Sequence, residues 1–295
     1  MSAPAAASAD PEAARGGIGK APSDAPFIKV TSDVPFIVAL SLLGGVYVFL
    51  IVAMLVADLA FTTRGNLTEA LNSPEIRYSI RLSLLSCSMT TIFALWSAVP
   101  LGYLLSRFEF RGKHLIEAVV DIPIVLPPLV VGLSLLVLFQ TPVGRWLNET
   151  LPGGVTYAIP SVILAQYMVA TAFAVRTMRA TFDQINPRQE QVALTLGCSR
   201  GQAFWRVALP ESRRGLVTAA TLAWARSLGE FGPILIFSGA TRMKTEVLPT
   251  TVYLEMNAGN IGGAVAVSLI MIAVALAVLV LMRAYGFGVK GEPAR

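Results

Sequence analysis

Charge, histidine and cysteine are all scarce in this chain. Of 295 residues only 14% are Asp, Glu, Lys or Arg, one is histidine and two are cysteine. So little charge excludes an ordinary soluble domain, where about a quarter of the residues are charged. The lone histidine, His114, sits in a basic turn and offers no metal cluster, and Cys87 and Cys198 make no disulfide framework. No histidine lies in an apolar run and Asp58 and Asp121 fall near run ends, so an intramembrane enzyme lacks its nucleophile, base and ligands. A nucleotide site is missing too. Gly16-Gly-Ile-Gly-Lys-Ala21 looks like a phosphate loop, but Ala14 replaces its first glycine, Ala21 replaces Ser or Thr, and no strand precedes it. The chain is therefore expected to hold no cofactor and no metal, and to hydrolyse nothing itself.

What is abundant is apolar sequence, with 55% hydrophobic residues and a mean hydropathy of +0.66. Uncharged runs at 35–57, 82–106, 122–144, 151–175 and 257–282 each reach the roughly 20 residues that cross a bilayer. A sixth, 216–240, is interrupted only by Arg226 and Glu230, an i, i+4 pair of opposite sign. The expected fold class is an all-α membrane protein of six transmembrane helices, the permease domain covering 34–285. Residues 1–33, rich in Ala, Pro, Ser and Gly, are expected to be a disordered cytoplasmic tail rather than a signal peptide, and 286–295 a cytoplasmic C-terminal tail.

Positive charge gathers in alternate connections: Arg15, Lys20 and Lys29; Arg107, Arg111 and Lys113; Arg176, Arg179, Arg188, Arg200, Arg206, Arg213 and Arg214; Arg283, Lys290 and Arg295. The positive-inside rule puts these, and both termini, in the cytoplasm. The same distribution accounts for the net charge of +5 without a nucleic-acid partner.

One cytoplasmic connection, about 183–214, has a shape of its own. Asn186 suits an N-cap, Pro187 the first helical position and Gln189 the capping-box position, so a helix should begin there. Glu190, Ala193 and Gly197 fall on one narrow face that permits close approach by a partner. Gly197 suits a left-handed exit, Ser199 with Gln202 restarts a helix, and Pro210 is expected to stop it.

Glu190-Gln-Val-Ala-Leu-Thr-Leu-Gly197, followed after nine residues by Val207-Ala-Leu-Pro210, resembles the EAA loop of ABC importer permeases. The spacing from glycine to Leu-Pro matches, and Ala193 keeps the second alanine. Gln191 and Val192 stand at the usual Glu-Ala positions, and Val207 replaces Ile, so either Glu190 or Gln191 supplies the polar contact. The resemblance spans roughly 82–282. Asp121-Ile-Pro-Ile-Val-Leu-Pro-Pro-Leu-Val-Val-Gly132 is similar to a core span of molybdate and tungstate permeases. Ala225-Arg-Ser-Leu-Gly-Glu-Phe-Gly232 is similar to a segment shared by molybdate and sulfate permeases, and Lys244-Thr-Glu-Val-Leu-Pro249 to one in sulfate permeases.

The resemblance implies a type I importer permease for a tetrahedral oxyanion, molybdate or tungstate favoured and sulfate or thiosulfate the alternative. It implies two ATP-binding cassette subunits, a second permease copy and an external substrate-binding protein as partners in the inner or plasma membrane. Coupling to the ATPase would fall to Glu190, Gln191, Ala193, Gly197, Ser199, Leu209 and Pro210. Pro123, Pro127 and Pro128 forbid a regular helix, and irregular backbone at membrane depth belongs where protein or water covers it. Pro127, Pro128, Ser134, Ser227, Glu230 and Phe231 are therefore the candidates for the translocation path or its gate, with Thr221 as a further passing hydroxyl. An ion-gradient carrier or channel is the remote alternative, since Arg226 and Glu230 are the only charges at membrane depth.

Overall fold

A computed structural model describes residues 34–288, and all regular structure among them is helical. The chain divides into two units at Ala53 and Met54. In the first, residues 34–53 form the opening part of α1 (Val34–Phe61), which carries no charge before Asp58 and buries none of its side chains.

The second unit continues with α2 (Arg64–Asn72), α3 (Pro74–Arg107), α4 (Lys113–Val125), α5 (Pro128–Gln140), α6 (Pro142–Thr150) and α7 (Ile159–Gln184). The α7–α11 loop carries α8 (Pro187–Thr195), α9 (Arg200–Ala203), a π-helical turn (Phe204–Ala208) and α10 (Leu209–Glu211). Then come α11 (Arg213–Leu228), α12 (Gly232–Phe237), α13 (Leu248–Asn257) and α14 (Ile261–Gly288). Ser73 shows how local chemistry sets the joints. Its N–H closes α2 on Glu69 and Ala70, its hydroxyl accepts from the Ile76 N–H, and Pro74 opens α3 where no donor is needed.

Helices α3, α7 and α11 form the packed centre. Ala94 and Ala98 of α3 meet Ala170 and Ala174 of α7 and Ala219 and Ala223 of α11, and all six are fully buried. Lipid offers no hydrophobic drive between helices, so small side chains that admit close backbones do the packing. Gly102 shows how close: a Cβ there would stand 2.9 Å from the Arg179 nitrogen. Gln166 of α7 joins the three helices by polar bonds, its amide donating to the Ser227 carbonyl at 3.1 Å and its oxygen accepting from the Thr90 hydroxyl at 3.1 Å.

Two of the six runs expected to span are not single helices. Among the described residues, α1, α3, α7 and the 261–282 part of α14 are long and apolar enough to cross a membrane, with a fifth if α4 and α5 count together. Run 122–144 is instead bent by 113° between α4 and α5. Pro127 has no N–H and forces Leu126 out of the helical region, to ψ 140°, so α4 ends and α5 starts afresh. Run 216–240 likewise breaks after Leu228, leaving 16 residues in α11 and six in α12. At the other end α14 continues to Gly288, into the segment expected to be a tail. The rest of that segment lies outside the described residues, as do the expected tail at 1–33, the rejected phosphate loop and the charges on Arg15, Lys20, Lys29, Lys290 and Arg295.

Several arginines expected as loop charges belong to helices and are paired. Arg176 of α7 grips Asp121 of α4 through two bonds of 2.7 and 2.8 Å, and Arg179 reaches Glu117 at 2.9 Å. This two-point pairing fixes α4 across α7.

Candidate functional site

Two places gather the residues singled out above. The first is the loop between α7 and α11. Asn186 caps α8 by accepting from the Arg188 N–H at 3.0 Å, one position short of the capping-box bond to Gln189. Gly197 leaves the helix at φ +90° with nothing within 4 Å of a Cβ placed there. Ser199 and Gln202 form the expected reciprocal capping box, at 2.9 and 3.3 Å.

The expected stop at Pro210 does not occur. Residues 204–208 widen into a π-helical turn, with the Leu209 N–H bonding the Phe204 carbonyl five residues back. That extra width gives the Pro210 ring the space it would otherwise take from the preceding turn, so the helix runs on through α10 toward α11. Leu209 and Pro210 are half-buried and mount the loop on α11.

The expected narrow face divides in two. Glu190 and Ala193 are buried against their own chain, at 8% and 9% exposure, while Gln191, Gly197 and Ser199 are exposed. Exposed with them are Val192, Leu194 and Leu196, the last at 80%. The outward surface is thus apolar, ringed by Gln191, Arg188 and Arg200, all three exposed. The Glu190 carboxylate points inward, accepting from the Tyr103 hydroxyl at 2.6 Å and the Arg107 Nε at 2.8 Å. Sequence reasoning missed Tyr103 and took Arg107 only as a topology signal. Their i, i+4 spacing at the end of α3 was the available clue.

The second place is where the two broken runs meet. A Cβ on Gly132 of α5 would stand 2.8 Å from the Pro233 Cα, and one on Gly232 would stand 2.9 Å from the Pro128 Cβ. Each helix thus offers a glycine to the other's proline, and the breaks at Pro127–Pro128 and Gly229–Gly232 lie side by side. A small cavity there is lined by Pro128, Leu129, Arg226, Glu230 and Phe231. The Glu230 side chain is 1% exposed and pairs with Arg226 at 2.8 Å, whose guanidinium also lies 5.6 Å from the centre of the Phe173 ring. Phe231 packs on Tyr253, ring centres 5.4 Å apart.

The remaining path candidates scatter. Pro127, just before α5, and Pro128 and Ser134 on it are exposed, whereas Ser227 is fully buried and donates its hydroxyl back to the Ala223 carbonyl at 2.8 Å. Thr221 bonds back in the same way, to Val217 at 2.7 Å. As placed, neither hydroxyl proton is available to a passing anion. His114 is exposed and lies 3.5 Å from Glu117, Cys87 is buried and Cys198 is half-buried.

Residues 98–291 match the family model of the binding-protein-dependent transport system inner membrane component. The chain is 31% identical to the sulfate transport system permease protein CysT of Escherichia coli, over 74% of this chain and 79% of that protein. It is 32% identical to the molybdenum transport system permease protein ModB of Mycobacterium tuberculosis, over 68% and 76%. It is 37% identical to the molybdate/tungstate transport system permease protein WtpB of Thermococcus kodakarensis, over 58% and 64%. Among solved structures, a chain of a bacterial ABC transporter that imports alginate matches with a TM-score of 0.70 at 18% identity, covering 88% of this chain and 98% of its own. A chain of the MetNI methionine ABC transporter matches with a TM-score of 0.54 at 19% identity, covering 74% and 97%. At those identities the likeness is one of fold.

Proposed function

Because the chain belongs to the family of binding-protein-dependent transport system inner membrane components, we propose that it is the permease subunit of an ATP-driven importer for a tetrahedral oxyanion. The observation that carries this reading is the loop between α7 and α11. It is a short helix and a left-handed glycine turn with an exposed apolar surface, carried between α7 and α11. Such an element receives a push and has no chemistry of its own.

In this reading two ATPase subunits dock against the outward face of the loop, through Gln191, Leu194, Leu196, Gly197 and Ser199, with Leu209 and Pro210 as its mount. Closure of the ATPase pair moves the spans as bodies and alternates access to the path. The six spans are α1, α3, the bent α4–α5 pair, α7, the broken α11–α12 pair and α14, with both termini and the loop in the cytoplasm. A second permease copy and an external binding protein complete the assembly, and hydrolysis belongs to the ATPase. The path runs by the junction of α5 and α12, where Pro127, Pro128, Glu230 and Phe231 are the candidates, with Ser134 further along α5.

Molybdate or tungstate is the cargo we favour, from the proline-rich segment at 121–132. Sulfate is the second reading, supported by the segment Lys244–Pro249 and the 31% identity to a sulfate permease. Uptake of labelled molybdate, tungstate and sulfate into proteoliposomes holding the full complex separates them. ATP-dependent uptake of none of the three would end the proposal. Gly197→Trp should abolish uptake while the ATPase still binds, and wild-type uptake in that variant would remove the coupling role from this turn.

A further inference from the structure

We propose that Glu190, Arg107 and Tyr103 form an internal strut that carries the displacement of α8 into α3. This rests on the reading of the loop as the point where an ATPase acts, and assigns Glu190 a task different from touching that partner.

The covalent chain ties the loop to α7 at Ile185 and to α11 at Arg213, but α3 is far away in sequence. The polar link between α8 and α3 is the Glu190 carboxylate. Its two oxygens are held by two residues one helical turn apart on α3: Tyr103 at 2.6 Å and Arg107 at 2.8 Å. The pair is shielded, with side-chain exposures of 11% for Arg107 and 10% for Glu190, so water does not weaken it as it does a surface pair. Arg107 also donates to the Ile185 carbonyl at 3.0 Å, just before α8, so one guanidinium holds the loop at two points.

The anchor is stiff on the α3 side. The Tyr103 ring is locked by edge contacts with Phe108, Phe182 and Phe204, at 6.2, 5.4 and 4.7 Å between centres. Phe204 belongs to the π-helical turn of the loop and Phe182 to α7, so the tyrosine stands where α3, α7 and the loop converge. Helix α3 has 34 residues, roughly 50 Å at 1.5 Å per residue, and packs along α7 and α11. A push on α8 thus reaches the end of α3, which continues past Pro100 in contact with α7 and α11. Without the strut, α3 would receive the push only through apolar packing, from Phe204 on Tyr103 and from α7, with no polar tie to α8.

The test uses the complete complex in proteoliposomes, with its ATPase and external binding protein. Glu190→Gln, Arg107→Met and Tyr103→Phe are each expected to leave the ATPase co-purifying. Molecules imported per ATP should fall about tenfold in the first two and less in the third. The double reversal Glu190→Arg with Arg107→Glu should recover part of the loss. A second readout reports motion directly: spin labels at Leu104→Cys and Gln189→Cys, with Cys198→Ser, report the distance between α3 and α8, Gln189 being exposed on α8 and outside the docking face. That distance should be the same in nucleotide-free and ATP-trapped complexes, and should become nucleotide-dependent when Glu190→Gln is added. Loss of ATPase binding in Glu190→Gln with import per ATP intact would show that Glu190 faces the partner and overturn the strut. A label distance that varies with nucleotide in the wild type would overturn it as well. If the wild-type chain itself recruits no ATPase, the importer reading fails before the strut is reached.

Discussion

The loop between α7 and α11 and the junction of α5 with α12 are both built on glycine and proline, and they use them in opposite ways. In the loop, Gly197 is chosen for its backbone: φ is +90° and the space around it is open. In the junction, Gly132 and Gly232 have no unusual φ but no room for a side chain, because Pro233 and Pro128 fill it. The prolines differ in the same sense. Pro187 opens a helix in the loop, whereas Pro128 also sets its ring against Gly232 and Pro233 sets its backbone against Gly132. Freedom is a local property and closeness a tertiary one, so the two regions should answer differently to the same added carbon.

The largest effect is expected at the junction. Gly132→Leu must displace the Pro233 backbone, and overpacking against backbone costs about 1–3 kcal/mol or more. The expected outcome is loss of monodisperse protein in detergent, read by size-exclusion chromatography. Gly229→Ala, whose added carbon would meet nothing closer than 3.8 Å, should behave as the wild type. Equal stability of the two variants would mean that α5 and α12 do not cross closely. At the loop, Gly197→Ala should cost about 1–2 kcal/mol locally through its left-handed φ, and leave global unfolding almost unmoved.

That contrast also explains what could be read in the sequence. The start of α8, the turn at Gly197 and the Ser199–Gln202 box depend on residues within four positions of one another, and the structure has all three. Pro210 was misjudged because its consequence depends on the turn before it, which relaxed into a π-helical form rather than breaking. The breaks in the runs at 122–144 and 216–240 were masked by hydropathy, which averages over a window and cannot see a 113° bend. The prolines at 127 and 128 did announce irregular backbone. Nothing local announced that this irregularity would lie against Gly232. The inward turn of Glu190 was hidden for a similar reason, since its partners are 83 and 87 positions away.

A smaller effect is expected where three helices share Gln166. Gln166→Leu removes the bonds to Thr90 and to the Ser227 carbonyl from a side chain that is 1% exposed. Interhelical hydrogen bonds in membranes are worth about 0.6 kcal/mol on average, so a loss near 1 kcal/mol is expected. A modest drop in the thermal midpoint should report it. A drop as large as that of Gly132→Leu would mean the polar knot, not close packing, holds the centre together.

The smallest effect lies in the turn between α12 and α13, outside the spans, where Glu246 is fully buried. Burial pushes its carboxyl above the usual range, and Arg242, with Nη1 at 3.7 Å from Oε1, opposes that push only in part. A carboxyl raised on folding binds its proton more tightly in the folded state. Its contribution is therefore fully present below the ordinary carboxylate range and is lost as pH rises through the raised value. The wild-type thermal midpoint should fall across that window by more than the midpoint of Glu246→Gln, which carries no proton to lose there. Subtracting the two curves removes the other titrating groups. A difference that grows toward acid in favour of the variant would reverse the sign and show that the ionised pair with Arg242 stabilises this turn.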